Sequence, residues 1–281
     1  MTVLVTGATG LIGRHVVAGL VAAGVADVRA LSRTPEAVCL PPGVEVVEGD
    51  LVVPGSLAAA LDGVTALHLA CLVPAVEDVL ARAVGAGCER VVTLSSASAP
   101  WERPAPRESR FYLRIEEAAE QCGAEWVHVR PCGMMTAALD WADEVRAGTV
   151  RRGWGDSLYP HVDERDVADV AVAALLGRVP SGSRLTLTGP EAISPRQQVA
   201  ALAAAIGRDI GFVELTPADA MARYRADGWD DDSIEIERIV WEKGLANPPR
   251  VRNTVEQTLA REARTFADWA LDHRAAFGFT P

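Results

Sequence analysis

A strand-forming run, Val3-Leu4-Val5, stops at a glycine and restarts as a helical pattern two glycines later, in Thr6-Gly-Ala-Thr-Gly-Leu-Ile-Gly13. A strand that turns through such a loop into a helix beginning near Leu11 aims backbone N–H groups and the positive end of the helix dipole at one spot. A pyrophosphate fits that spot. Gly7 is expected to make the tight turn, Gly10 to leave room for the phosphate, and Gly13 to let helix and strand pack closely. Thr9, Leu11 and Ile12 complete the loop. The spacing predicts a bound dinucleotide.

Short β-rich runs recur at 2–6, 27–32, 44–48, 65–70, 90–95 and 125–130, separated by helical stretches at 11–24, 54–61, 76–86 and 108–122. This alternation predicts an α/β fold built on a doubly wound parallel sheet covered on both faces. After Pro131 it decays. Residues 134–160 read as an irregular cap, 164–177 as a helix, 183–188 as a strand, and the stretch beyond Gly189-Pro190 as a mostly helical tail. The expected organisation is a dinucleotide-binding domain over 1–133 and a cap and substrate-binding region over 134–281, with 163–188 a candidate to rejoin the first domain.

The net charge of -11 argues against nucleic acid or an anionic membrane surface as a partner. No apolar run is long enough to span a bilayer, and the first residues do not resemble a secretory signal. Five cysteines, odd in number and without a Cys-x-x-Cys pair, read as reduced thiols, so a cytoplasmic protein is expected. The histidines show no metal-ligand spacing, and no metal is expected.

The second strand speaks to the choice of cofactor. An NAD-selective site places an acid at that strand's end, on the ribose 2′-hydroxyl. Here the strand ends in Ser32-Arg33-Thr34. A guanidinium there pairs with a 2′-phosphate, so NADP(H) is the expected cofactor. The alternative is that Arg33 is a solvated loop arginine.

The glycine loop, Glu48-Gly-Asp-Leu51, Leu94-Ser-Ser-Ala-Ser98, Val129-Arg-Pro-Cys-Gly133 and Pro160-His-Val-Asp163 stand in order on successive strand ends. Together they resemble the short-chain dehydrogenase/reductase superfamily, in its atypical or extended branch with NmrA-like and sugar-epimerase-like members. The resemblance covers nearly the whole chain and implies a Rossmann-type sheet. It also implies that Asp50 and Leu51 lie against the adenine and that Ala70, Cys71 and Leu72 line the cofactor groove. Pro131, Cys132 and Gly133 would border the nicotinamide, and Ser96 would be the hydroxyl facing a substrate carbonyl. Ser95 and Ser98 are alternatives to Ser96, and Asp50 has a purely structural alternative as a loop cap.

Most members of that superfamily use Tyr-x-x-x-Lys, in which a phenol handles the proton and the lysine lowers its pKa. This chain has a single lysine, Lys243, and none of Tyr112, Tyr159 and Tyr224 has a lysine four residues on. Aligning Glu116 with the acid that follows the motif puts Glu108 at the tyrosine position and Tyr112 at the lysine position. Tyr112 is either a displaced donor or a packing aromatic beside Phe111.

Two functions fit. The first is an NADPH-dependent ketoreductase acting on an apolar, polyketide-type aromatic molecule, with its proton from a substrate phenol, water or Ser96. The second is an NmrA-like regulator that senses NADP(H) without turnover. Trp101, Met134, Met135 and Tyr159, in segments 101–112 and 134–163, suggest a slot for a flat ligand. His161 and Ser98 are further substrate candidates. A monomer or homodimer is expected.

Overall fold

The computed structural model describes residues 1–70, 75–102 and 111–279. Cys71, Leu72 and Glu108 lie outside them. The chain divides into two compact units, one of residues 1–132, 164–187 and 254–262, the other of residues 133–163, 188–253 and 263–281.

The first unit is a parallel sheet. Its strands are β1 (Thr2–Val5), β2 (Asp27–Ser32), β3 (Glu45–Glu48), β4 (Ala66–Leu69), β5 (Arg90–Leu94), β6 (Glu125–Pro131) and a last strand, Ser183–Leu187. Their spatial order is β3-β2-β1-β4-β5-β6 and then the last strand, and all pairs run parallel. The order reverses beside β1, where the first strand after the reversal is β4. Ligands of such sheets bind beyond the strand ends at that reversal.

The strands are apolar on both sides because helices cover both faces. Leu4, Leu67, Leu69 and Val91 join Val79, Leu80, Ala83, Ile115 and Ala119 in one core layer. With the first helix, α1, at Gly13–Ala22, the helical members of this layer come from α2 (Val76–Gly85) and α3 (Tyr112–Gln121). Helix α1 buries Val16, Val17 and Leu20, and packs with Glu164–Leu175 on the opposite face.

The second unit departs from the irregular cap expected over 134–160. A 3-10 segment, Met135–Trp141, leads into the helix Ala142–Ala147 and the strand Thr149–Arg152. Ala138, Trp141, Val145 and Val150 are buried there with Phe266, Trp269 and Phe277. Their helical spacing is hidden in the sequence by the intervening Asp140, Asp143, Glu144 and Arg146. The strand Thr149–Arg152 pairs in parallel with Gly211–Glu214. Between them in sequence stands the helix Pro195–Ile206. Its start is fixed by a capping box of Ser194 and Gln197 with Pro195 in the first turn. Among the described residues no helix is long and apolar enough to cross a membrane.

Candidate active site

The glycine loop is built as its spacing requires. Gly7 sits at φ +62°, and a Cβ on Gly13 would overlap the Gly7 carbonyl. Thr6 ties the ends of two strands together: its Oγ1 donates to the His68 carbonyl at 3.0 Å and accepts from Ala70 N–H at 2.8 Å. No side chain caps the start of α1 at Ile12. Arg14 N–H donates to the Gly10 carbonyl and His15 N–H to the Ile12 carbonyl, so the fit to a pyrophosphate rests on the glycine turn at the positive end of the helix dipole.

Arg33 is exposed just past β2, and among the described residues no carboxylate pairs with it. The Ser32 hydroxyl accepts from Thr34 N–H at 3.1 Å and shapes that turn. Asp50 uses Oδ1 to accept from Val52 N–H at 2.9 Å, so its carboxylate serves the loop. Leu51 packs on the core layer, and Ala70 stands 3.0 Å from where a Cβ on Gly7 would lie.

The serines after β5 separate by partner. Ser95 is buried, and its hydroxyl donates to Glu116 Oε1 at 2.5 Å. Arg130 grips the same carboxylate in a fork, Nε to Oε1 at 2.7 Å and Nη2 to Oε2 at 2.5 Å. Burial works to raise the Glu116 carboxyl, but the Arg130 and Ser95 bonds outweigh it and hold it below the usual carboxylate range. Ser95 is thus committed to structure. Ser96 is half-buried, 2.8 Å from the Ser98 hydroxyl. Of the three candidates, Ser96 and Ser98 form the hydroxyl pair not engaged by Glu116. Pro131 ends β6 with its carbonyl accepting from Ala97 N–H at 3.0 Å, and Cys132 N–H donates to Leu187 at 2.8 Å.

Tyr112 opens α3. Its ring meets Phe111 edge-on, and its N–H donates to Glu102. Lys243 belongs to the second unit, on the helix Asp231–Ala246. Trp101 is largely exposed, in a short 3-10 turn of the first unit. Glu116, Glu120 and His128 bring ligand atoms within 4.8 Å of one another. Arg130, Ser95, Arg184 and Thr93 bond to them, and we assign no metal there.

The second unit holds a cavity of about 410 Å³. Met134, Met135, Trp141 and Trp241 give it apolar surface, and His161, Gln198 and Glu237 give it polar groups. Tyr159 is stacked obliquely against His161, with ring centroids 5.2 Å apart. Burial raises the Glu237 carboxyl above its ordinary range, against the indole N–H of Trp241 that donates to it at 2.6 Å. Burial also pushes the neighbouring Tyr224 phenol up to about 12. Arg152 and Arg223 both pair with Glu144, which neutralises part of the cationic wall. Sequence reasoning missed Gln198, Glu237 and the Glu116–Arg130 pair. The available signal was a polar residue on a buried helical stripe: Gln198 falls in line with Pro195, Val199 and Leu202.

A family model described as NAD(P)H-binding matches residues 7–177. A Streptomyces griseus subsp. griseus protein named (4-alkanoyl-5-oxo-2,5-dihydrofuran-3-yl)methyl phosphate reductase is 38% identical, over 98% of this chain and 99% of its own. An NAD(P)H azoreductase from Xenophilus azovorans is 31% identical, with the same coverage. Among solved structures, a Citrobacter sp. triphenylmethane reductase complexed with NADP(H) superposes with a TM-score of 0.81 at 18% identity, covering 98% of this chain and all of the other. An NADPH-dependent quinone oxidoreductase from Escherichia coli gives 0.77 at 21%, covering 96% and 98%. At those identities the two structures speak for the fold.

Proposed function

The chain belongs to this NAD(P)H-binding family and is an NAD(P)H-dependent oxidoreductase; from that premise we propose that it uses NADPH to reduce conjugated, electron-poor small molecules that carry their own sink for negative charge. The observation behind this reading is the missing Tyr-x-x-x-Lys pair in a chain whose glycine loop is intact. An isolated ketone that accepts hydride becomes an alkoxide, and that strongly basic oxygen needs a nearby acid. A quinone, an azo bond, a triarylmethyl cation or a doubly activated alkene does not. Its product charge is delocalised or already cancelled, and water completes the protonation.

The Streptomyces relative is named for a substrate of this kind. A 2,5-dihydrofuran with 5-oxo and 4-alkanoyl groups has its double bond conjugated to two carbonyls. A ketone beside a phenol on an aromatic polyketide meets the same requirement through its internal hydrogen bond. The ketoreductase expected from the sequence is thus a special case of this class. The missing pair also fits the sensor alternative, and the named relatives, both reductases, favour turnover over it.

When bound, NADPH would supply a hydride with its electron pair to an electrophilic carbon, or to a nitrogen of an azo bond. The loop at Gly7, Gly10 and Gly13 and the start of α1 would hold the pyrophosphate. Arg33 would hold the 2′-phosphate. Ser96, with Ser98 behind it, would donate to a substrate oxygen. Within the second unit, the cavity walled by Met134, Met135, Trp141 and Trp241 offers apolar surface for a flat molecule. The test is NADPH oxidation, followed by its absorbance, against a naphthoquinone, an azo dye, a triphenylmethane dye, an acyl butenolide and cyclohexanone. Turnover of conjugated acceptors and none of cyclohexanone is expected. Comparable rates on cyclohexanone would contradict the reading.

A further inference from the structure

Two guanidiniums of the second unit share one carboxylate. Arg152 ends the strand Thr149–Arg152, and Arg223 stands on the helix Pro217–Ala226. Gly153 lets strand and helix approach closely, since a Cβ there would stand 2.9 Å from the Ala220 Cβ. Glu144 accepts from Arg152 Nη1 at 3.1 Å and from Arg151 N–H at 2.7 Å, and it pairs with Arg223 Nη2. Its lone pairs are spent on these donors. Asp227 reaches Arg223 Nε only at 3.8 Å, from an exposed position.

The hydrogen bonds of Arg152 all leave from Nη1, to Glu144 and, at 2.6 Å, to the Arg151 carbonyl. Among the described residues no acceptor takes its Nε–H or Nη2–H. Those hydrogens form one edge of the planar group, a fork that matches two oxygens of one anion. The group is fixed over the Trp141 ring, 5.1 Å from its centroid, with the side chain 14% exposed. Burial, with the like charge of Arg223, holds Arg152 below its ordinary range, against the pull of Glu144. Arg151, exposed, adds a further positive charge to the same cavity wall. Asp140 and Glu237, the other acids of the wall, pair with no arginine among the described residues, and Glu237 has the Trp241 indole as its partner.

We propose that the free edge of Arg152, together with Arg223, binds an oxyanion group, a phosphate ester or a carboxylate, carried by the ligand of this cavity. That the ligand is a substrate rests on the reductase reading above, which the site narrows to molecules with a flat apolar body and an acidic end. Met134, Met135 and Trp241 give the body its surface. Two oxygens of the acidic end accept from Nε–H and Nη2–H, and its charge offsets the excess that Glu144 leaves.

The experiment is calorimetric titration of the protein, saturated with NADP+ so that its glycine loop is occupied, with 2-naphthyl phosphate, 2-naphthoate and 2-naphthol. The three share a ring system and differ in charge. At least one of the anions should bind about tenfold or more tighter than 2-naphthol. Added salt should weaken the anion and leave 2-naphthol alone. A preference for both anions assigns any oxyanion to the site, and a preference for the phosphate alone assigns a phosphate ester. Arg152→Met keeps a chain over Trp141 without the fork. It should bring the anions to within about twofold of 2-naphthol, whose own Kd should not change. Arg152→Lys should recover part of the preference, as a charge without the fork. Arg223→Met should lower the preference as well, and covers the case in which Arg152→Met does not fold. Equal affinity for the anions and 2-naphthol in the wild type, no binding of any of the three, or a full preference in Arg152→Met would overturn the proposal. A protein that prefers the anions yet oxidises NADPH with no acceptor keeps the site and sinks the reductase reading. Turnover of a neutral quinone without any preference for anions does the reverse.

Discussion

Ser95 and Ser96 are adjacent in the chain and have different partners. Ser95 completes the bonding of a buried carboxylate, and Ser96 stands beside Ser98. Ser95→Ala should destabilise the protein by about 1–3 kcal/mol, because Glu116 loses a donor it cannot replace with water. Ser96→Ala should leave the urea midpoint in place and lower kcat. The glycine loop and Arg33 were legible at this scale, since glycine spacing and a strand-end cation each have a local cause. The division of labour between the serines was not, because it depends on Glu116, twenty-one residues away from Ser95. Arg33→Ala should weaken NADPH binding about tenfold or more, one charge-assisted contact to the 2′-phosphate, and leave NADH nearly unchanged. Fluorescence titration with both cofactors checks this, and equal losses would count against it.

At the scale of elements, the strands could be read directly because helices bury them on both faces and leave continuous apolar runs such as Val3-Leu4-Val5. The polar layer between β5, β6 and α3 could not. Thr93, Ser95, His128 and Arg130 alternate with apolar residues along their strands, and on α3 their partners are Glu116, which is buried, and Glu120, which is exposed. Breaking the Glu116–Arg130 fork leaves a buried charge without its partner, so Glu116→Ala should cost about 3–5 kcal/mol. The layer also sets a response to acid. Burial holds His128 down at about 4, against the pull of Glu116 and Glu120, and burial does the same to His68. Both rings take up protons near 6.5 when unfolded, so between about 6.5 and 4 the unfolded chain binds more protons. Their contribution is intact above 6.5 and is lost as the pH falls toward 4. The lowered Glu116 carboxyl works in the same direction, since its contribution is lost as it protonates. The urea midpoint should drop between pH 7.5 and pH 5, and less so in His128→Gln. A constant midpoint over that range would contradict the assignment of buried neutral rings.

Over the whole molecule, chain order and spatial grouping part company. The first unit takes in residues 164–187 and 254–262, and the cavity of the second unit draws on segments from Met134 to Trp241. The first six strands of the sheet follow from sequence periodicity because the crossovers between them are short, whereas the last, Ser183–Leu187, is reached only after the chain has passed through residues 133–163 of the other unit. The cavity's polar groups do not, because His161, Gln198 and Glu237 meet only through the fold. The central claim, that the acceptor carries its own charge sink in place of the lost phenol and lysine, is tested most directly by isotope transfer. NADPH deuterated on both faces of the reacting nicotinamide carbon is incubated with the protein and an acyl butenolide, and the product is read by NMR. Deuterium on the ring carbon β to the two carbonyls is predicted. Deuterium on the alkanoyl carbonyl carbon, leaving the double bond in place, would contradict it.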